Sequence, residues 1–287
     1  MRRLLLAAAI AGFTGPAIVA QTVAPATPTA AEIMAKVAAN QDRTEAARTH
    51  YIYQQHIRSV SRKPGGRVMC EEITDSRVSP RAKESSNEPP KQLLALDGRY
   101  WQKDKYIHYT ALPKDNDDDN VQVEKGSAHI ALDTDSTMDR DLVENLRKNL
   151  ADDKSKDGLG KGLFPLTTEQ QSQYLFTLEG QQKMNGRDVY RVSFRPKDKN
   201  DFDWKGEAFI DVHEFEPVVV YTEMSRKIPL AVRTLLGTNL PGLGFSVTYD
   251  REPDGVWFPV SFGTEFRMRV LFFYRAGYFD VAGQHAF

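Results

Sequence analysis

The sequence predicts a mainly β protein with helices (α+β), built on an antiparallel sheet with one covered face, and three observations carry that prediction. From Tyr174 onward, short runs rich in β-branched and aromatic residues recur between Gly, Pro, Asn or Asp, the pattern of a meander with short connections. Within 256–278 the even positions hold Val256, Phe258, Val260, Phe262, Phe266, Met268, Val270, Phe272 and Tyr274, whereas the odd positions include Ser261, Glu265, Arg267, Arg269 and Arg275. Such alternation gives one apolar and one wet face, so the sheet is covered on one side only. Apolar residues at helical spacing stand out in just two segments, 31–47 and 138–150.

The chain opens on Met1-Arg2-Arg3, an apolar run over 4–11, a break at Gly12, Gly15 and Pro16, and small residues at 17–20. Charged, apolar and cleavable regions in that order form a secretory signal peptide, with cleavage expected after Ala20 and a periplasmic or secreted product. No later run reaches the roughly 20 apolar residues that span a bilayer. Residues 21–30, rich in Ala, Thr and Pro, form a flexible leader, and 31–287 form a single domain with a helical insertion at about 114–170. Cys70 is the one cysteine, which excludes an internal disulfide and leaves stability to a hydrophobic core. A net charge of −1 with scattered Lys and Arg excludes an electrostatic footprint for nucleic acid.

Taken in order, Ile33, Met34, Val37 and Ala38 recur at helical spacing behind Thr29, a natural N-cap, with Glu32 near the positive helix end. An extended segment from Tyr51 to about Ser61, the Lys63-Pro64-Gly65-Gly66 turn and a strand through Val68, Cys70, Ile73 and Val78 make a hairpin. Residues 93–96 and 100–109 read as a second hairpin turning at Asp97-Gly98, because Asp-Gly supplies positive φ values. The acidic run at 115–120 reads as a solvated loop. Met138, Leu142, Val143, Leu146 and Leu150 mark a helix, with Asp139 and Asp141 near its start and Arg147 and Lys148 near its end, in the sense its dipole favours. Strands follow at 174–182, 189–194, 207–212, 218–224 and 245–251, with an Asn185-Gly186 turn between the first two. The stretch 256–278 reads either as one long curved strand or as two strands turning near Gly263.

Motifs of chemistry are missing from this pattern. The six histidines form no pair at the i, i+4 spacing of a helical zinc site, and the acidic run lacks the spaced glycine and terminal glutamate of a calcium loop. His213-Glu214-Phe215-Glu216 reads as a solvated turn before Pro217. No nucleophile elbow, phosphate loop or dinucleotide fingerprint occurs, and Gly158-Leu159-Gly160-Lys161-Gly162 reads as a loop. Cys70, alone within a strand pattern, reads as a small buried residue rather than a nucleophile. The expectation is a protein that is not an enzyme, with no catalytic residue, metal or cofactor. One feature does not fit a bland surface: Ile228-Pro229-Leu230-Ala231-Val232-Arg233-Thr234-Leu235-Leu236 and Leu240-Pro241-Gly242-Leu243 make an apolar connection between two strands. Connections are normally polar, so this one either fills the core or covers a lipid- or acyl-binding cavity.

The order of elements resembles the LolA/LolB-like family of periplasmic lipoprotein carriers (outer-membrane lipoprotein-sorting proteins), to which the sigma-factor regulator RseB is also similar. The residues that carry the resemblance are the signal peptide, the opening helix at 31–47 running into a strand, Leu96-Asp97-Gly98-Arg99-Tyr100-Trp101 read as a turn, and Gly206-Glu207-Ala208-Phe209-Ile210-Asp211 followed by Pro217-Val218. It implies an incomplete antiparallel β-barrel closed by helices, whose apolar cavity holds the acyl chains of a lipoprotein or lipid. The expected lining or lid is Leu230, Leu235, Leu236, Leu240, Phe258, Phe262, Phe266, Met268 and Phe272. The expected partners are lipoprotein acyl chains, lipid, or envelope proteins. The alternative is an envelope protein-interaction or stress-sensing domain on the same fold, without lipid transport.

Overall fold

The computed structural model describes residues 27–81, 90–111, 134–150, 164–198, 204–225, 238–239, 244–270 and 273–286. Helix α1 spans Ala30–Arg48, one residue beyond the predicted range at each end. A capping box starts it: the Thr29 hydroxyl accepts from the Glu32 amide at 3.2 Å and the Thr29 amide donates to the Glu32 carboxylate at 2.7 Å. Ile33, Met34, Val37 and Ala38 are buried on its inward face. Strands β1 (Tyr53–Arg62) and β2 (Val68–Val78) form the predicted first hairpin, followed by β3 (Lys91–Gln102) and β4 (Lys105–Ala111). Helix α2 (Thr134–Leu150) and a short helix α3 (Thr168–Gln171) precede β5 (Tyr174–Met184), β6 (Arg187–Pro196), β7 (Trp204–Asp211) and β8 (Pro217–Met224). After them come β9 (Thr238–Asn239), β10 (Gly244–Arg251), β11 (Trp257–Val270) and β12 (Phe273–Ala286). Among the described residues, no helix is long and apolar enough to cross a membrane.

The strands make one sheet in the order β4-β3-β2-β1-β12-β11-β10-β8-β7-β6-β5, with β9 paired to β11. Every pairing is antiparallel. Among the described residues no ladder joins the end strands β4 and β5, so the sheet is open. Both α1 and α2 pack on the same face, called the inner face below: Ile33, Met34 and Val37 of α1 and Leu146 of α2 share a core with Val192, Ile210, Val220, Val247 and Phe262 from the strands.

Three expectations are corrected. Asp97-Gly98 is not a turn: both residues lie inside β3, where Gly98 pairs with Tyr109, and the chain turns at Lys103 and Asp104, whose φ values are 45° and 61°. Gly98 serves close approach instead, since a Cβ there would stand 2.1 Å from the Tyr109 ring. The stretch 256–278 belongs to two strands, β11 and β12, with Gly263 inside β11 and the reversal between Val270 and Phe273. Its parity changes at both ends. An irregularity opposite Thr248 and Tyr249 puts Trp257 and Phe262 in one core, while Phe258 packs on Tyr53 and Tyr51 in another. Beyond the reversal the odd residues turn inward, so Phe279 and Val281 are buried, Arg275 is buried instead of wet, and Tyr274 is exposed. The Asn185-Gly186 turn stands as predicted, with φ values of 50° and 78°. The acidic run at 115–120 and the glycine cluster at 158–162 lie outside the described residues.

The turn at 212–215 corrects another expectation, because Glu216 within the His213–Glu216 cluster is buried. Gln41 of α1 donates to its carboxylate at 2.6 Å, Arg48 donates to Gln41 at 3.2 Å, and the Arg48 Nε donates to the Trp257 carbonyl at 2.7 Å. This network seats α1 against the turn before β8 and the start of β11. Burial pushes the Glu216 carboxyl up to about 7 from 4.5, outweighing the downward pull of Arg48 and Gln41.

Two predictions follow from these contacts. Gly98→Ala should displace the Tyr109 ring and lower the free energy of unfolding by about 1–3 kcal/mol, read by denaturant titration. For Glu216, the folded pKa lies above the unfolded one, so its contribution to stability is complete below about pH 4.5 and lost as the pH rises through about 7. Glu216→Gln, which keeps the Gln41 contact, should flatten that part of the profile of stability between pH 4.5 and 7; an unchanged slope would contradict the assignment.

Candidate functional site

The inner face of the sheet divides into two halves of opposite character. Across β7, β10, β11 and β12 it carries a row of aromatic rings. Trp204 meets Phe245 edge-on at 4.9 Å between centroids, Phe245 stacks on Phe262 at 5.6 Å, and Phe262 meets Phe279 at 5.9 Å. Phe164 caps Phe262 at 6.4 Å. The strand register produces this row: Val247 is paired with Phe262, Phe262 with Val281 and Thr264 with Phe279, so side chains from neighbouring strands stand on one face. Aliphatic residues from β6, β7 and β8, including Val192, Ala208, Ile210 and Val220, extend the apolar surface toward the edge strand β5.

Across β1 and β2 the inner face is largely polar, and beyond them Leu96 and Tyr100 of β3 join Cys70 in a second apolar cluster. Gln55, Ser59 and Ser61 of β1 and Glu72, Thr74 and Ser76 of β2 are all buried there. Helix α2 lies over this half and fastens to it by ion pairs. Arg275 of β12 donates from Nε and Nη2 to the two carboxylate oxygens of Asp139 at 2.7 and 2.9 Å, and Ser61 Oγ donates to the same carboxylate at 2.5 Å. The Asp139 and Arg275 side chains are 0% and 6% exposed. Further along the helix, Arg147 donates to Glu72 at 3.1 Å, and Tyr109 donates to the other Glu72 oxygen at 2.7 Å. Arg140 stands over the rings of Tyr100 and Tyr109 at 5.3 and 5.6 Å. Asp139 and Arg147 therefore bind the sheet; in the sequence they read only as complements to the helix dipole.

Cys70 sits in this half, buried beside Tyr109, its sulfur 3.9 Å from the phenol oxygen. Burial pushes its thiol up to about 12, and the neighbouring Glu72 adds to the effect. Burial likewise raises the Tyr109 phenol, with Cys70 and Glu72 adding to it. A thiol held protonated in this way is a poor nucleophile. His56 is no partner for it: His56 pairs with Asp75 at 2.7 Å, and both side chains are about half exposed, one residue out of phase with Ser61, the neighbour of Cys70. On that outer face Glu71 is held between Arg58 and Arg99; burial opposes its ionisation, but the two guanidinium groups outweigh it and keep the carboxyl below its usual range. Among the described residues, no group of three or more His, Cys, Asp or Glu side chains is placed to hold a metal ion.

Of the residues expected to line a cavity, Phe262 stands at the centre of the aromatic row. Phe258 is buried apart from it, against Tyr53. Phe266 and Met268 occupy β11 positions opposite Gly277 and Arg275. Leu230, Leu235, Leu236, Leu240 and Phe272 lie outside the described residues. Sequence reasoning missed the ionic half altogether. Its one visible signal was Arg275 within an otherwise aromatic strand, and the reversal after Val270 hid which face that residue occupies.

Removing one partner of a buried ion pair leaves the other charge uncompensated and costs about 3–5 kcal/mol, whereas replacing both by apolar residues of similar size is far cheaper. Arg275→Met should therefore destabilise the protein by that amount in denaturant unfolding. Combining it with Asp139→Leu should restore most of the loss. Equal losses in the single and double variants would show that the pair has no energetic coupling.

No protein-family model matches the chain, and no curated protein matches it. Among solved structures the chain is similar to a domain assigned to outer membrane lipoprotein sorting from Vibrio parahaemolyticus, at 12% identity over 88% of this chain and 91% of that one, with a TM-score of 0.33. It is also similar to a DUF1329 family protein from Desulfovibrio piger, at 12% identity over 91% and 94% of the two chains and a TM-score of 0.32. A LolA superfamily protein from Nitrosomonas europaea matches at 11% identity over 90% and 93%, with a TM-score of 0.30. These names agree with the LolA-like resemblance of the sequence, and at such identities and TM-scores they assign this chain no activity, ligand or partner.

Proposed function

We propose that this protein is an exported, periplasmic binding protein of the carrier type, which holds the acyl chains of a lipoprotein or lipid against the apolar half of the inner face. The observation that carries this reading is the aromatic row from Trp204 through Phe245 and Phe262 to Phe279, continuous across strands that are far apart in sequence. Transfer of an acyl chain from water onto such a surface is favoured by about 25 cal/mol per Å² of apolar area removed, and requires no reacting group. In this reading the helices close the mouth of an incomplete barrel. The expected lining or lid residues Leu230, Leu235, Leu236, Leu240 and Phe272 lie outside the described residues. The protein performs no chemistry on what it holds.

A second reading is supported by a different surface. On the outer face, next to the edge strand β5, Leu175, Thr177, Arg195, Lys205, Glu207 and Tyr221 line an open groove of about 550 Å³. Leu175 and Tyr221 there are 42% and 48% exposed. Large apolar side chains left exposed across the outer face from β5 to β8 suit an envelope protein partner, and on this reading the fold serves interaction instead of lipid transport.

Native mass spectrometry of the mature protein purified from an envelope fraction tests the choice. The carrier reading expects a polypeptide beginning at Gln21 with a stoichiometric lipid or acylated peptide that organic solvent releases, and loss of that species in the Leu235→Ser, Leu236→Ser double variant. A protein repeatedly free of ligand, and without binding in lipid titrations, would sink the carrier reading and leave the outer-face interaction as the better account.

A further inference from the structure

We propose that the inner face carries a second, polar subsite, formed by Ser59 of β1 and Thr74 of β2, which takes a neutral hydrogen-bonding group of the ligand such as the ester carbonyl of an acyl chain. The inference rests on the acyl-binding reading above and adds to it the position of the ligand's polar end. Ser59 and Thr74 are 0% and 1% exposed. Among the described residues, neither hydroxyl oxygen has a hydrogen-bond partner. A buried hydroxyl is nearly always satisfied, so two unsatisfied ones on neighbouring strands point to a missing group.

The register places the pair. Ser59 stands opposite Glu72 on β2 and opposite Phe279 on β12, while Thr74 stands opposite Ile57. Ser59 and Thr74 are therefore diagonal neighbours on one face, with backbones about 7–8 Å apart, a separation that a single carbonyl-bearing group can bridge. Phe279 is the last ring of the aromatic row, so the pair lies where the apolar half of the face ends. An amphiphile whose chain follows that row presents its polar end to Ser59 and Thr74.

Among the described residues, the charges nearby are already committed, which sets the chemical class. Glu72 is held by Tyr109 and Arg147, and Asp139 by Ser61 and Arg275. What remains are neutral hydroxyls, which donate to a neutral acceptor and supply no countercharge for a phosphate or an ammonium group. An ester carbonyl joined to an acyl chain matches both the donors and the apolar wall beside them.

The mature full-length protein is titrated with 1,2-dipalmitoylglycerol and with its diether analogue 1,2-di-O-hexadecylglycerol, which lacks the carbonyls, by displacement of N-phenyl-1-naphthylamine. The same titrations are made on the Ser59→Ala, Thr74→Val double variant, and its Tm is measured. The wild type should bind the diester about tenfold more tightly than the diether, the gain expected from two hydrogen bonds. The variant should bind both alike, with unchanged affinity for the diether and a Tm no lower than that of the wild type. If wild type and variant bind diester and diether equally, the subsite is refuted while the acyl-binding reading stands. If neither lipid binds the wild type, that reading falls and takes the subsite with it.

Discussion

The ladder that runs from Tyr53 opposite Ala286 to Arg62 opposite Ala276 joins two separately built pieces of sheet. On one side β1 to β4 follow one another as neighbours; on the other, β5 to β8 and β10 to β12 do the same. Within each piece the pairings are between strands close in sequence, and closing them orders little chain. The β1–β12 ladder brings together strands from opposite ends of the sequence. Its loop-closure entropy is accordingly the largest in the fold, and non-local pairings of this kind set the pace of folding. An irregularity at Gln54 and His56 interrupts it, while inward Ile57 and Ser59 stand opposite Val281 and Phe279 along the rest of its length. The apolar core therefore reaches across the seam at Ile57, while Ser59 and Ser61 beside it begin the polar half.

The same ladder assembles the ionic half of the inner face. Ser61 comes from β1, Arg275 from β12 and Asp139 from α2, and the three meet only where the two pieces are joined. A buried carboxylate without its guanidinium would be strongly disfavoured, so α2 has a seat only on the completed sheet. This contact serves position more than strength. Desolvation of the two groups offsets much of their attraction, whereas the two-pronged geometry of Arg275 on Asp139 admits one placement of the helix. Glu72, gripped by Tyr109 and Arg147, fixes the helix at a second point and so sets its direction across β1 and β2.

Much of the fold was legible because its signals are local. Thr29 with Glu32 announced the start of α1, Asn185-Gly186 announced the turn between β5 and β6, and the short alternating runs located nearly every strand. The failures share one physical cause: a residue's role was set by a neighbour distant in sequence. Asp97-Gly98 has the composition of a tight turn, yet Gly98 exists to make room for Tyr109 on the adjacent strand. The alternation through 256–278 was real, but an irregularity near Pro259 and a reversal after Val270 each shifted its phase, so Phe258 left the row and Arg275 entered the core. Phe262 was correctly placed on the apolar face because it lies between those two breaks. The ionic half was illegible for a related reason, since Asp139 and Arg147 at the ends of an amphipathic helix have a sufficient local explanation in its dipole.

Two helices on one face are thus held by different physics, and the difference bears on how that face can work. Helix α1 buries Ile33, Met34, Val37 and Ala38 in the main core and adds the Gln41, Arg48 and Glu216 network, so loosening it would expose apolar area along much of its length. Helix α2 contributes Val143 and Leu146 to two separate clusters and otherwise rests on charge pairs and aromatic rings. Water solvates separated ions but not separated hydrocarbon, so the two attachments differ in what their loss would expose. Asp139 and Arg275 are nonetheless buried as deeply as the residues under α1, so releasing α2 would strand ionised groups beside the core, whereas releasing α1 would expose hydrocarbon.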